Sequence, residues 1–109
     1  IKILDVGCGT GIFVKELRKL GYNVVGVDMN KDVIQYATET NKLSLINADI
    51  SELPFSNNSF DCILCFEVLE HVINYDSVLQ EIYRCLKKDG IFYLVKYVES
   101  RQNLIKSIS

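Results

Sequence analysis

The chain has 109 residues, 49% hydrophobic and 24% charged, with a formal net charge of −2. That balance is ordinary for one soluble globular domain. Such a chain buries roughly two-thirds of its unfolded surface. No excess of positive charge argues for nucleic acid. No apolar run approaches the ~20 residues that cross a bilayer, and the first residues read as a strand rather than a signal peptide. Four cysteines, Cys8, Cys62, Cys65 and Cys85, lack the spacing of a disulfide framework, so a reducing cytoplasm is expected. The chain opens on Ile1 inside an apolar run, which reads as a fragment of a larger domain. No linker or repeat divides residues 1–109.

In chain order, apolar β-rich runs alternate with helix-period segments, the pattern of βαβ units around a parallel sheet. Ile1 to Val6 reads as a strand buried on both faces. A glycine-rich turn, Gly7 to Gly11, leads into a helix with Ile12, Phe13, Leu17 and Leu20 inward and Lys15, Glu16, Arg18 and Lys19 outward. Gly21 ends it. Tyr22 to Val27 forms the second strand and delivers Asp28. Asn30 caps a second helix with Val33, Ile34 and Ala37 inward. Leu43 to Asn47 reads as the third strand, followed by turn chemistry around Pro54 and Ser56 to Ser59. Phe60 to Phe66 is the fourth strand. A short helix is expected over Glu67 to Ile73, then an amphipathic helix from Asp76 to Lys88 with Val78, Leu79, Ile82 and Leu86 inward. Gly90 is expected to end it, Ile91 to Val95 to form the fifth strand, and Val98 to Ile108 a last helix. Right-handed crossovers then place helices on both faces. Ligands of such sheets bind beyond the carboxyl ends of the strands, where strand order reverses. The site is therefore expected at the ends of strands one, two and four.

Three segments carry chemistry at those ends. Asp5-Val6-Gly7-Cys8-Gly9-Thr10-Gly11 allows close backbone approach to a ligand, and the helix after it offers free N–H groups to a carboxylate or phosphate. Its spacing is G-x-G-x-G, whereas dinucleotide enzymes favour G-x-G-x-x-G. Asp28, ending strand two, can grip both hydroxyls of a ribose, or simply cap the next helix. Asn47-Ala48-Asp49-Ile50 closes strand three. Asp49 there can accept a hydrogen bond from an adenine amino group, with Met29 and Ile50 flanking the ring, or it can cap its own loop.

The series Ile3 to Gly11, Val24 to Asp28, Ala48-Asp49 with Leu53-Pro54-Phe55, and Ser59-Phe60-Asp61 resembles the motifs of class I S-adenosylmethionine-dependent methyltransferases. The likeness runs from strand one through strand five. It implies a Rossmann-like doubly wound sheet in the order 3-2-1-4-5, short of the antiparallel strands of a seven-stranded fold. It implies methyl transfer to a small-molecule acceptor. It further implies that Gly7, Cys8, Gly9, Thr10 and Gly11 wrap the methionine part of S-adenosylmethionine, with Asp5 near its amino group. Asp28 then holds the ribose, Ala48 and Asp49 meet the adenine, and Cys65 with Phe66 lies near the sulfur.

Glu67, Glu70 and His71 form E-x-x-E-H after strand four, on one face of a helix. The string resembles one linked to Mg²⁺ in ubiquinone-pathway O-methyltransferases and in small-RNA terminal 2′-O-methyltransferases. His71 is the single histidine, and a metal site, a general base (Glu67 or His71) and a surface role all stay open. Cys62 and Cys65 are C-x-x-C, but residues three apart on a strand face opposite ways and read as buried fillers. Two other classes are kept: a non-catalytic remnant of a methyltransferase domain, and a nicotinamide-dependent oxidoreductase.

Overall fold

The computed structural model describes residues 1–66 and 75–95. Its elements are β1 (Lys2–Val6), α1 (Ile12–Lys19), β2 (Asn23–Asp28), α2 (Lys31–Thr40), β3 (Ile46–Asn47), β4 (Phe60–Phe66), α3 (Tyr75–Cys85) and β5 (Leu86–Val95). The expected helices at residues 67–73 and 98–108 lie outside the described residues. The strands form one sheet in the order β3-β2-β1-β4-β5, all pairs parallel, as the sequence led us to expect. Strand order therefore reverses between β1 and β4.

The strands are apolar on both faces because both faces are covered. On one face Ile3, Val24 and Leu64 pack with Phe13, Val14 and Leu17 of α1 and Ile34 of α2. On the other, Leu4, Val6, Val27, Ile63 and Cys65 pack with Val78, Ile82 and Cys85 of α3 and with Ile50 and Leu53. Cys65 thus joins one layer while Cys62 packs against the other, and the four cysteines form no disulfide. Burial raises the Cys62 thiol above its ordinary range.

Three boundaries and one helix face differ from the sequence reading. In α1 the buried stripe is Phe13, Val14 and Leu17, while Ile12 and Leu20 are half exposed. Ile12 stands at the first helical position, turned by the 3.6-residue period from the stripe, whereas Leu20 follows the stripe but stands at the C-cap, where the helix ends. Gly21 at φ +92° closes the helix as expected, with N–H bonds from Gly21 to Arg18 O and from Tyr22 to Leu17 O. The third strand is only Ile46–Asn47. Leu43 is buried, and Leu43 and Leu45 direct their side chains at Gly11 instead of extending the ladder. Finally, α3 stops at Cys85, not Lys88. The carbonyls of Arg84 and Cys85 accept the N–H groups of Asn58 and Ser59 at 2.9 and 2.8 Å, and Leu86 already pairs with Phe60. Gly90 does not end the helix. It lies in β5, where an added methyl would stand 2.9 Å from Asp61 O.

Candidate functional site

The register gathers the carboxyl ends of four strands. Val6 pairs with Val27 on one side and with Cys65 on the other, and Asp28 pairs with Asn47. The turns leaving β1, β2 and β3 therefore meet on one rim.

Asp28 stitches them together. Its Oδ2 accepts the Gly9 N–H at 2.9 Å, and its Oδ1 accepts the Asn30 N–H at 2.8 Å. Its carbonyl accepts the Ala48 N–H at 3.1 Å and the Asn47 side-chain amide at 3.0 Å. The Val27 carbonyl accepts N–H bonds from Gly7 and Cys8 at 2.7 and 3.0 Å. Each carboxylate oxygen of Asp28 keeps room for one further donor, since each has two lone pairs.

The glycine loop is held in left-handed conformations at Gly7, Gly9 and Gly11, φ +77°, +57° and +80°. A methyl group added at Gly9 would have no atom within 4 Å, so the backbone there borders open space. Gly11 is the N-cap of α1, and no side chain caps that helix or places a carboxylate in its first turn. The positive end of the helix is left for an outside acceptor. Thr10 is half-buried on the same loop. Cys8 is fully buried in the α1 layer, a filler beneath the loop.

Asp5 is fully buried, the one charged residue so placed among the described residues. It pairs with Gly26 and Leu64 in the two neighbouring strands. Asp49 is exposed on the rim. Its Oδ1 accepts from the Ser51 hydroxyl at 2.7 Å and the Ser51 N–H at 2.9 Å, and these bonds hold its carboxyl below the ordinary 3.8. Asp49 thus caps its loop with one oxygen, while Oδ2 takes no bond from Ser51. Of the two residues expected to flank a ring, Met29 is 51% exposed and Ile50 only 1%. Ile50 sits in the core under the rim. Cys65 is fully buried, and Phe66 meets Phe13 edge-on at 4.9 Å. Glu67, Glu70 and His71 lie outside the described residues. No group of three metal-binding side chains occurs among the described residues. No helix among them is long and apolar enough to cross a membrane.

Two contributors escaped the sequence reading. Asn47 uses its side chain to bind the Asp28 carbonyl, and Glu81 with Arg84 fastens the loop after β3. Neither has a motif. An Arg three residues after a Glu on a helix reads as an ordinary surface pair.

A parallel sheet with reversed order at β1/β4, a G-x-G-x-G turn and an acidic end to β2 define a Rossmann-like domain of the class I S-adenosylmethionine-dependent methyltransferase type. The chain belongs to that family: its residues 4–94 match the model of the methyltransferase domain. A ubiquinone biosynthesis O-methyltransferase of Glaesserella parasuis is 37% identical over 103 residues, covering 85% of this chain and 44% of the relative. A sterol 24-C-methyltransferase of Aspergillus fumigatus is 35% identical over 106 residues, covering 90% of this chain and 28% of the relative. The crystal structure of the PH0226 protein of Pyrococcus horikoshii superposes with a TM-score of 0.81 at 31% identity, covering 98% of this chain and 50% of that one. The chain therefore spans half or less of the length of these relatives.

Proposed function

We propose that the chain is the cofactor-binding core of a cytoplasmic enzyme that transfers a methyl group from S-adenosylmethionine to a small-molecule acceptor. The observation that carries this reading is the convergence on Asp28, which ties the glycine loop, the end of β2 and the end of β3 into one rim. The donor set fits S-adenosylmethionine. Open space at Gly9, an uncapped helix end and two carboxylates suit an amino-acid carboxylate, a ribose diol and an adenine amino group. Relatives named as a ubiquinone biosynthesis O-methyltransferase and a sterol 24-C-methyltransferase support a small-molecule acceptor. Cysteines used as buried apolar fillers support the cytoplasm.

When bound, S-adenosylmethionine would supply an electrophilic sulfonium methyl for an acceptor lone pair, with the neutral thioether as leaving group. The chain's part is positioning and exclusion of water. The uncapped first turn of α1 offers its N–H groups to the carboxylate of the methionine part as Gly7 to Gly11 wraps it, and Asp5, buried in β1, supplies negative charge on the side of its ammonium. Asp28 accepts the ribose hydroxyls on its remaining lone pairs. Asp49 Oδ2 accepts from the adenine amino group, while Ala48 and Met29 flank the ring and Ile50 supports it from below. The carboxyl end of β4, at Cys65 and Phe66, borders the methyl while both side chains pack in the core. No step is assigned to Glu67, Glu70 or His71, which lie outside the described residues.

Calorimetry on the full-length protein tests the reading. S-adenosylhomocysteine is expected to bind, NADH to give no heat, and Asp28→Ala to weaken binding about 100-fold, the worth of two charge-assisted hydrogen bonds. Silence with S-adenosylhomocysteine, or an Asp28→Ala protein that binds like wild type, overturns it.

A further inference from the structure

The loop between β3 and β4 carries Asp49 at the rim and is fastened from behind by α3. Glu81 Oε1 accepts the Leu53 N–H at 2.8 Å. Arg84 donates to Leu53 O at 2.9 Å, Phe55 O at 2.7 Å and Asn57 Oδ1 at 2.9 Å. Its remaining two N–H groups reach Glu81 Oε2 at 2.7 Å and Oε1 at 3.1 Å. A guanidinium has five N–H donors, and here all five are engaged, four of them by way of two forks. An exposed ion pair of ordinary kind is loosely held and contributes little. This one grips a peptide segment at three successive odd positions, Leu53, Phe55 and Asn57.

That grip lies four residues from Asp49. Between them the Glu52 N–H binds Asp49 O at 3.0 Å, so one short turn joins carboxylate and clamp. Ile50 and Leu53 bury their side chains in the core, but apolar contact is non-directional. It holds the loop down without fixing its rotation. A hydrogen bond to an amino group, in contrast, weakens steeply with angle.

We propose that Glu81 and Arg84 are positioning residues for the adenine end of the cofactor, fixing the Leu53–Asn57 backbone so that Asp49 presents Oδ2 at the rim. The inference rests on the assignment of Asp49 to the adenine amino group.

The test measures dissociation constants of the full-length protein for S-adenosylhomocysteine and for S-inosylhomocysteine, which has an oxygen in place of that amino group. Wild type is expected to prefer the amino form about tenfold. Arg84→Ala is expected to reduce the preference to within about threefold, chiefly by weakening the amino form. Glu81→Gln and Arg84→Lys, which keep a polar side chain in place, are expected to erode it in the same direction and secure the answer should Arg84→Ala not fold. Equal weakening of both ligands would show a merely structural role and overturn the proposal, as would a full preference retained in the folded variants. A wild-type protein that binds both ligands equally removes Asp49 from the adenine and the clamp with it. One that binds neither overturns the cofactor reading itself.

Discussion

Gly9 and Gly11 share a left-handed backbone, at φ +57° and +80°, but a methyl group added to each meets different surroundings. At Gly9 it meets nothing within 4 Å; at Gly11 it lies 2.8 Å from Leu43 Cδ1 and 2.9 Å from Leu45 Cδ1. Left-handed strain costs about 1–2 kcal/mol at either position. Gly9→Ala is therefore expected to fold with about that loss while weakening S-adenosylhomocysteine about tenfold or more, because the methyl occupies the space the ligand approaches. Gly11→Ala adds the displacement of two leucines and is expected to lose about 2–5 kcal/mol in all. Urea melts and calorimetry on both variants separate the effects, and unchanged binding by Gly9→Ala would put the ligand elsewhere. The spacing of the glycines was legible in the sequence, and so were Asp28 and Asp49 as rim residues. Their different duties were not, because the leucines that crowd Gly11 come from a strand-like stretch more than thirty residues away. Ile50 likewise read as a ring-flanking residue, although its burial is decided by α3-side packing that no local pattern reveals.

The elements were most legible where burial is complete. β1, β2 and β4 are mostly apolar runs, and their register fixes the rim. The N-terminus of α2 was also readable: Asn30 Oδ1 accepts the N–H groups of Asp32 and Val33 at 3.0 and 3.2 Å. Removing that cap with Asn30→Ala is expected to cost about 1 kcal/mol. Asp28, however, binds the Asn30 backbone N–H, which alanine keeps. Affinity for S-adenosylhomocysteine should therefore stay within about twofold, since the Asp28 carboxylate keeps its orientation. A larger loss would mean that the Asn30 side chain itself orients the rim. The ends of α3 and β3 were misread for a shared reason. Lys87 and Lys88 continue a helical period but the Arg84 and Cys85 carbonyls are claimed by Asn58 and Ser59, and Leu43 and Leu45 look like strand residues but fill space over Gly11. Both outcomes depend on partners distant in sequence, which periodicity does not encode.

At the scale of the whole molecule, the end of the sheet opposite the rim is tied by another aspartate. Asp61, at the start of β4, accepts the Lys2 backbone N–H at 2.8 Å and the Lys87 ammonium at 3.2 Å, joining β1, β4 and β5 far from the rim. The Lys2 N–H, then the Lys87 ammonium, hold its carboxyl below the ordinary 3.8. Glu81 is held below its ordinary 4.5, first by Arg84 and also by the Leu53 N–H. A carboxylate whose folded-state pKa is depressed binds fewer protons folded than unfolded, so it stabilises above the unfolded value and ceases to as pH falls through the folded one. Stability contributed by Asp61 is thus complete above about pH 5 and disappears as pH falls below its ordinary 3.8. Asp61→Asn is expected to be less stable than wild type at neutral pH, with a deficit that shrinks steadily on acidification toward pH ~2 as both proteins lose the charge. Denaturant melts of the two proteins across that range measure it. A deficit independent of pH would mean that the carboxamide fails by shape and that charge at Asp61 contributes nothing. A deficit that grows on acidification would reverse the sign required by a depressed pKa. Because Asp61 is remote from Asp28 and Asp49, its variant should lose stability without losing affinity for S-adenosylhomocysteine, which separates the aspartate that holds the sheet from those that meet the ligand.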